Sequence, residues 1–145
     1  MEMNSSNTYN WNGKTILIVE DDPSSIMLMD IILSPTDATL LFAGTGADAL
    51  RYVKDNSSID LVLMDIRLPD ISGIEITKQI KAVRPNITII AQTACAFVDD
   101  MERSLNAGCA GFFTKPIVAS ELLETINCFF EPEVKKSFRT KTILL

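Results

Sequence analysis

Histidine is absent from all 145 residues. That excludes His-based triads, most transition-metal centres and a self-phosphorylating histidine. Cysteine is scarce: Cys95, Cys109 and Cys128 are odd in number, and no two stand two residues apart. A disulfide framework and a zinc site are both excluded on that count, leaving small buried thiols in a reducing compartment. Positive charge is in short supply, with 13 Lys and Arg against 19 Asp and Glu and a net charge of −6. This balance argues against direct nucleic-acid binding and against anionic membranes. No apolar run approaches the ~18 residues of a membrane span. The opening "MEMNSSNTYN" has neither the basic nor the apolar region of a signal peptide. The expected location is therefore the cytoplasm, without membrane insertion. No repeat of 20–50 residues is present.

What is there suits one globular domain: 47% hydrophobic and 22% charged residues in a chain of single-domain length. Residues 1–13, rich in Asn and Ser, read as a flexible lead-in. Short apolar runs rich in β-branched residues then alternate with helical periodicity. Strands are expected at 14–19 ("KTILIV"), 38–43, 59–65 ("IDLVLMD"), 87–94 ("ITIIAQTA") and 110–116 ("AGFFTKP"). Helices are expected at 24–33, started by Pro23, and at 45–55, 73–83, 98–108 and 119–130. Gly108 should stop the fourth helix and Ser120 should cap the fifth. Met27 and Met29 read as core filler. Continuous apolar strands between helices imply a parallel α/β sheet covered on both faces. Residues 131–145 read as a tail or linker stub.

In such a sheet, ligands bind beyond the carboxyl ends of the strands. Strand one ends in Glu20, Asp21 and Asp22, strand three in Asp65, strand four in Thr93, and strand five in Thr114-Lys115-Pro116. Two carboxylates ~4 Å apart repel by several kcal/mol at an effective dielectric near 20. A cation between them relieves this, and hard oxygen ligands with room for water suit Mg²⁺ or Mn²⁺. Acids, a hydroxyl and a lysine together make a phosphoryl-transfer site, in which a carboxylate can itself be the nucleophile. Asp22 reads as a helix cap. "GTG" at 44–46 lacks the Gly-Lys-Ser/Thr of a phosphate loop and reads as a turn.

Four motifs in this order and spacing, "VEDD", "LVLMDIRLPDISG", "QTA" and "FFTKP", resemble the receiver domain of bacterial two-component response regulators over roughly residues 14–130. The resemblance implies a flavodoxin-like three-layer sandwich with strand order 2-1-3-4-5. It implies a phosphoaccepting signalling domain, not a turnover enzyme, that receives a phosphoryl group from a histidine kinase or histidine phosphotransfer protein. By the same resemblance Asp65 is the phosphoacceptor, Asp21 the main metal carboxylate, and Glu20 a second acid acting through water. Arg67 lends a backbone carbonyl to the metal, Thr93 is the switch hydroxyl, and Lys115 contacts the phosphoryl group. The Lys115–Pro116 peptide is expected to be cis, and Phe112 takes the aromatic switch position. Glu20 stands where Asp is commoner, Ser72 replaces a frequent Asp, and Phe112 lacks a tyrosine hydroxyl. Cys95 is expected near the pocket. The lead-in "WNGKTILIVEDD" is similar to the junction before receivers in hybrid histidine kinases.

Rival readings are an aspartyl-nucleophile phosphatase, a flavin carrier and a degenerate receiver used only for binding. The first wants a second Asp at the position of Arg67. The second would meet three carboxylates where flavin phosphate must bind. The third is opposed by the intact set Asp21, Asp65, Thr93 and Lys115. A monomer or weak dimer is expected.

Overall fold

Strand and helix alternate from Thr15 to Phe130. In the computed structural model, which describes residues 9–94 and 98–131, the strands are β1 (Thr15–Val19), β2 (Thr39–Ala43), β3 (Leu61–Asp65), β4 (Thr88–Thr93) and β5 (Gly111–Thr114). The helices are α1 (Pro23–Leu33), α2 (Gly46–Asp55), α3 (Gly73–Val83), α4 (Val98–Ala107) and α5 (Ala119–Phe130). All strand pairs are parallel and the sheet order is β2-β1-β3-β4-β5. The expected α/β flavodoxin-like topology is the observed one.

Each strand splits its apolar side chains between two cores, as a two-residue period requires. Leu17 and Val19 of β1, Val62 and Met64 of β3, and Ile89 and Ala91 of β4 face α2, α3 and α4. Ile16, Ile18, Leu61, Leu63 and Ile90 face α1 and α5. Burial on both faces explains why β1 and β3 read as unbroken apolar runs; every residue of both strands is buried.

Helix starts follow capping chemistry. Asp22 accepts a hydrogen bond from the Ser25 backbone N–H, with Pro23 at the first helical position. Thr45 accepts from the Asp48 N–H ahead of α2, and Ser72 from the Ile74 N–H ahead of α3. Ser72, read as a simple loop replacement, is thus the cap of α3. Gly108, at φ 115°, follows the last residue of α4 in the left-handed region that favours glycine.

Four expectations need correction. Ser120 is not the cap of α5: Val118 holds that position and supplies no side-chain bond. The strands are shorter than read, β5 by most: it spans Gly111–Thr114 against the expected 110–116. Met29 is core, but Met27 is exposed on the outer side of α1. The described part of the lead-in is not loose. Trp11 is 3% exposed, and its indole N–H donates to Asn127 Oδ1 at 2.9 Å. Its ring meets Phe130 edge-on at 5.3 Å. Residues 1–8, the tail beyond residue 131, and Cys95 lie outside the described residues; Cys109 and Cys128 are buried free thiols, as read.

Candidate functional site

Strand alternation carries the apolar rows of the α1/α5 face directly into polar side chains. Two residues beyond Ile18 is Glu20, beyond Leu63 is Asp65, beyond Ile90 is Gln92, and beyond Phe113 is Lys115. These stand at the carboxyl ends of β1, β3, β4 and β5, four successive neighbours in the sheet, Glu20 and Lys115 each one residue past its strand. The row ends at the carboxyl edge, where strand backbones give out and side chains replace them.

Lys115 reaches back across this row. Its Nζ donates to Glu20 Oε1 at 2.8 Å and lies 3.5 Å from Asp65 Oδ2. Its backbone N–H donates to the Thr93 carbonyl at 2.8 Å, and the Lys115–Pro116 peptide is cis, as the resemblance implied. Glu20 is buried, and its other oxygen, Oε2, accepts from the Asp22 N–H at 3.1 Å. Asp22 caps α1, bonding both the Ser25 N–H and hydroxyl. The acids after β1 therefore divide their work: Asp22 faces the helix, while Glu20, with Asp21 beside it, faces Asp65.

Asp65 is 5% exposed and its Oδ1 accepts from the Arg67 N–H at 3.0 Å. Burial pushes its carboxyl up to about 6, and the Glu20 charge adds to this. The Arg67 N–H and the Lys115 charge act in the opposite direction. Burial also opposes the charged form of Lys115, but the bond to Glu20 and the charges of Asp65 and Glu20 outweigh it and hold the ammonium above its ordinary value.

The loop after β3 is fixed by Gly73. Its N–H donates to the Ile66 carbonyl at 2.7 Å, and a Cβ there would collide with the Asp65 carbonyl oxygen and stand 2.7 Å from the Ile66 Cα. Only glycine lets α3 begin this close to the acid.

Carboxylate oxygens of Glu20, Asp21 and Asp65 lie within 4.8 Å of one another, two of these residues buried and Asp21 exposed. One lysine cannot neutralise three acids. All-oxygen donors with one open side fit a small hard divalent cation that keeps part of its water shell. These three residues would hold it. The Arg67 side chain is exposed, so any contribution from that residue is through its backbone.

Thr93, fully buried, ends β4 on the opposite face from Gln92. Ala91 is the partner of Phe112 in β5, so Thr93 and Phe112 share the α3/α4 side. Phe112 is half-buried against that core, not held in solvent. The expected residues Glu20, Asp21, Asp65 and Lys115 are thus brought together, and Thr93 stands at the adjoining strand end with Phe112 behind it.

Sequence reasoning passed over Gln92. It is 1% exposed, and neither side-chain amide atom has a hydrogen-bond partner among the described residues. The signal was a lone carboxamide inside the apolar strand "ITIIAQTA".

The sequence profile of the response regulator receiver domain matches residues 16–127. The chain is 34% identical over 118 residues to the polar-differentiation response regulator DivK of Brucella ovis, covering 80% of this chain and 95% of that protein. Among solved structures it is similar to a CheY-like receiver domain protein from Methanospirillum hungatei. That match has a TM-score of 0.78 and 31% identity, and covers 86% of this chain and 98% of the other. It is also similar to the Saccharomyces cerevisiae Ssk1 receiver domain, crystallised with the histidine phosphotransfer protein Ypd1. There the TM-score is 0.75 and the identity 27%, with coverage of 81% and 89%.

Proposed function

This chain belongs to the response regulator receiver domain family of two-component signalling, and from that premise we propose that it accepts a phosphoryl group on Asp65 from a phosphohistidine. One observation carries the reading: Asp65 is buried at a strand end, with Lys115 3.5 Å away and the Glu20 and Asp21 carboxylates within 4.8 Å. An isolated acid so placed would be an unexplained cost. A nucleophile flanked by a cation site and a lysine has a use for every neighbour.

An oxygen of Asp65 attacks phosphorus, a P–O bond forms, and the P–N bond to the donor imidazole breaks. The imidazole leaves with the bonding electron pair and takes up a proton. Lys115 turns from Glu20 towards the phosphoryl oxygens and offsets their charge. Glu20, Asp21, Asp65 and the Arg67 carbonyl would hold Mg²⁺ or Mn²⁺, which when bound supplies the remaining positive charge. The Thr93 hydroxyl then donates to a phosphoryl oxygen, and Phe112 follows it inward, altering the α4-β5-α5 face read by the output partner.

The donor fits a helical histidine phosphotransfer domain. Ser24, Met27, Leu28 and Ile31 form one exposed stripe on α1 at helical spacing, and the three apolar members are unusually bare. The stripe begins beside Glu20 and Asp21, so a helix laid along it brings a histidine over Asp65. The similar Ssk1 receiver was crystallised with a histidine phosphotransfer protein, which supports a donor of that class. Among the described residues no helix is long and apolar enough to cross a membrane, and action in the cytoplasm is part of this reading.

The test is phosphotransfer from a labelled histidine phosphotransfer protein. Wild type should take up label on Mg²⁺ addition, and Asp65→Asn should take up none. Equal labelling of the two would refute the assignment.

A further inference from the structure

Lys115 follows β5 and the acids it reaches stand at β3 and β1, so β4, which carries Gln92, lies between them. In the row at the carboxyl edge the order is Glu20 on β1, Asp65 on β3, Gln92 on β4 and Lys115 on β5. Gln92 is the register partner of Asp65 on one side and of Phe113, two residues before Lys115, on the other. Register partners in neighbouring strands are about 4.8 Å apart and project to the same face. Gln92 thus stands in strand order between Lys115 and the acids that its ammonium reaches, and it is 1% exposed.

Burial of a carboxamide without partners is costly, and an apolar residue would avoid it. Both the Gln92 Oε1 and Nε2 atoms are unpartnered among the described residues. The backbone is held in place, since the Gln92 carbonyl accepts from the Ile66 N–H at 3.0 Å. Only the side-chain torsions need change to present the amide oxygen upward. Lys115 carries three N–H donors, with Glu20 Oε1 at 2.8 Å and Asp65 Oδ2 at 3.5 Å. When the ammonium moves from Glu20 towards phosphorus, the neutral acceptor beneath its path is Gln92 Oε1.

We propose that Gln92 is a positioning residue for Lys115: its amide oxygen accepts a hydrogen bond from the ammonium and holds it over a phosphoryl group on Asp65. The proposal rests on the phosphoacceptor reading above. It adds that a strand-interior carboxamide, rather than the strand-end acids alone, sets where the lysine stands in the loaded state.

The experiment is titration of the full chain with beryllofluoride and Mg²⁺, a non-covalent phosphoryl mimic, followed by amide NMR shifts. Four proteins are compared: wild type, Gln92→Met, Lys115→Met and the double variant. Gln92→Met should be at least as stable as wild type in urea, since it removes a buried unpaired amide. Its half-saturating beryllofluoride concentration should rise at least about tenfold, the lower end of what one hydrogen bond to a charged group contributes. In the Lys115→Met background the same substitution should change it by less than about twofold, because the partner is gone. Gln92→Leu serves as a second apolar variant and should repeat both results. Unchanged affinity in Gln92→Met, or a full tenfold loss that persists without Lys115, overturns the positioning role while leaving the phosphoacceptor reading intact. A wild type that binds no beryllofluoride overturns both.

Discussion

Lys115 and Glu20 form a 2.8 Å ion pair that spans the sheet from β5 to β1, passing over the Asp65 carboxylate. Glu20 is fully enclosed and Lys115 only partly exposed. Removing one partner of such a pair leaves an uncompensated buried charge. Lys115→Ala should therefore lower metal-free stability by about 1–3 kcal/mol, below the fully buried case because Lys115 retains some solvent. Mg²⁺ should narrow the gap, since a divalent ion among Glu20, Asp21 and Asp65 replaces the lost charge. Urea unfolding of both proteins with chelator and with Mg²⁺ checks this. An equal gap in the two conditions would refute it.

The raised Asp65 carboxyl makes stability depend on pH in a stated direction. Its folded value is about 6 against 3.8 for the free group. The folded protein thus binds the proton more tightly than the unfolded chain, and stability contributed by this residue increases as pH falls from about 7 through 6 towards 4. At pH 7 the ionised form costs on the order of 1–3 kcal/mol, taking 1.36 kcal/mol per pH unit as the upper scale. Asp65→Asn in chelator should be more stable than wild type at pH 7, with the difference shrinking towards pH 4. Denaturation midpoints at four or five pH values decide it; a difference that grows on acidification would contradict the origin assigned here.

Asp21 is the exposed member of the acid cluster and has least to do with folding. Asp21→Asn should leave the unfolding midpoint within about 0.5 kcal/mol of wild type, as is usual for surface substitutions. The same change should weaken Mg²⁺ binding by at least about tenfold, through loss of one anionic ligand. Titration of Mg²⁺ monitored by amide shifts around Asp65 provides the measurement. Unaltered affinity would remove Asp21 from the metal site.

Thr93 and Phe112 lie on one side of the sheet, two residues out of register. Phe112 is already half-buried, and without a hydroxyl it enters the core with no polar group to satisfy. The inward ring should hence be substantially populated before phosphorylation, and the switch biased rather than sharply two-state. Ring-proton NMR with and without beryllofluoride reports the population. Thr93→Ala should abolish the coupling between beryllofluoride binding and the Phe112 shift, and a shift of full size in that variant would refute the route.

The parts of the fold that were legible share a physical cause. β1 and β3 are buried on both faces, so they must be apolar throughout, and their ends must be where polarity returns; Glu20, Asp21 and Asp65 stand there for that reason. Lys115 was legible because a lysine before proline at a strand end has few structural uses. Strand lengths were overestimated because apolar character extends beyond the paired residues, as at Ile59 and Ile87, which are buried but stand before the first residues of β3 and β4. Gln92 went unread because its significance lies in its neighbours, which come from three other strands. The Ser120 cap failed for a local reason: the helix begins two residues earlier than that cap would allow, at Ala119, with Val118 in the cap position.

Trp11 was illegible for a different reason, and it yields the last prediction. It sits among Asn, Gly and Tyr, with no periodicity to reveal burial, and its hydrogen-bond partner Asn127 is 116 residues away. In the fold its backbone N–H donates to the Thr36 carbonyl at 2.7 Å, tying it to the turn after α1. Its ring lies against Phe130 near the end of α5, with Tyr9 at 5.5 Å on another side, and Lys14 sits over the Phe130 ring at 5.2 Å. The indole therefore closes the α1/α5 core at its lower end, opposite the acid cluster. Trp11→Ala should cost about 3–5 kcal/mol, the range for removing a large buried aromatic. Trp11→Phe should cost less but leave Asn127 without its donor, about 1–2 kcal/mol. Asn127→Leu in the Trp11→Phe background should recover part of that loss, because both polar groups are then removed together. Urea denaturation of the four proteins tests the set. If Trp11→Ala shifts the midpoint by less than 1 kcal/mol, residues 9–13 are a loose lead-in after all, and the domain begins at β1.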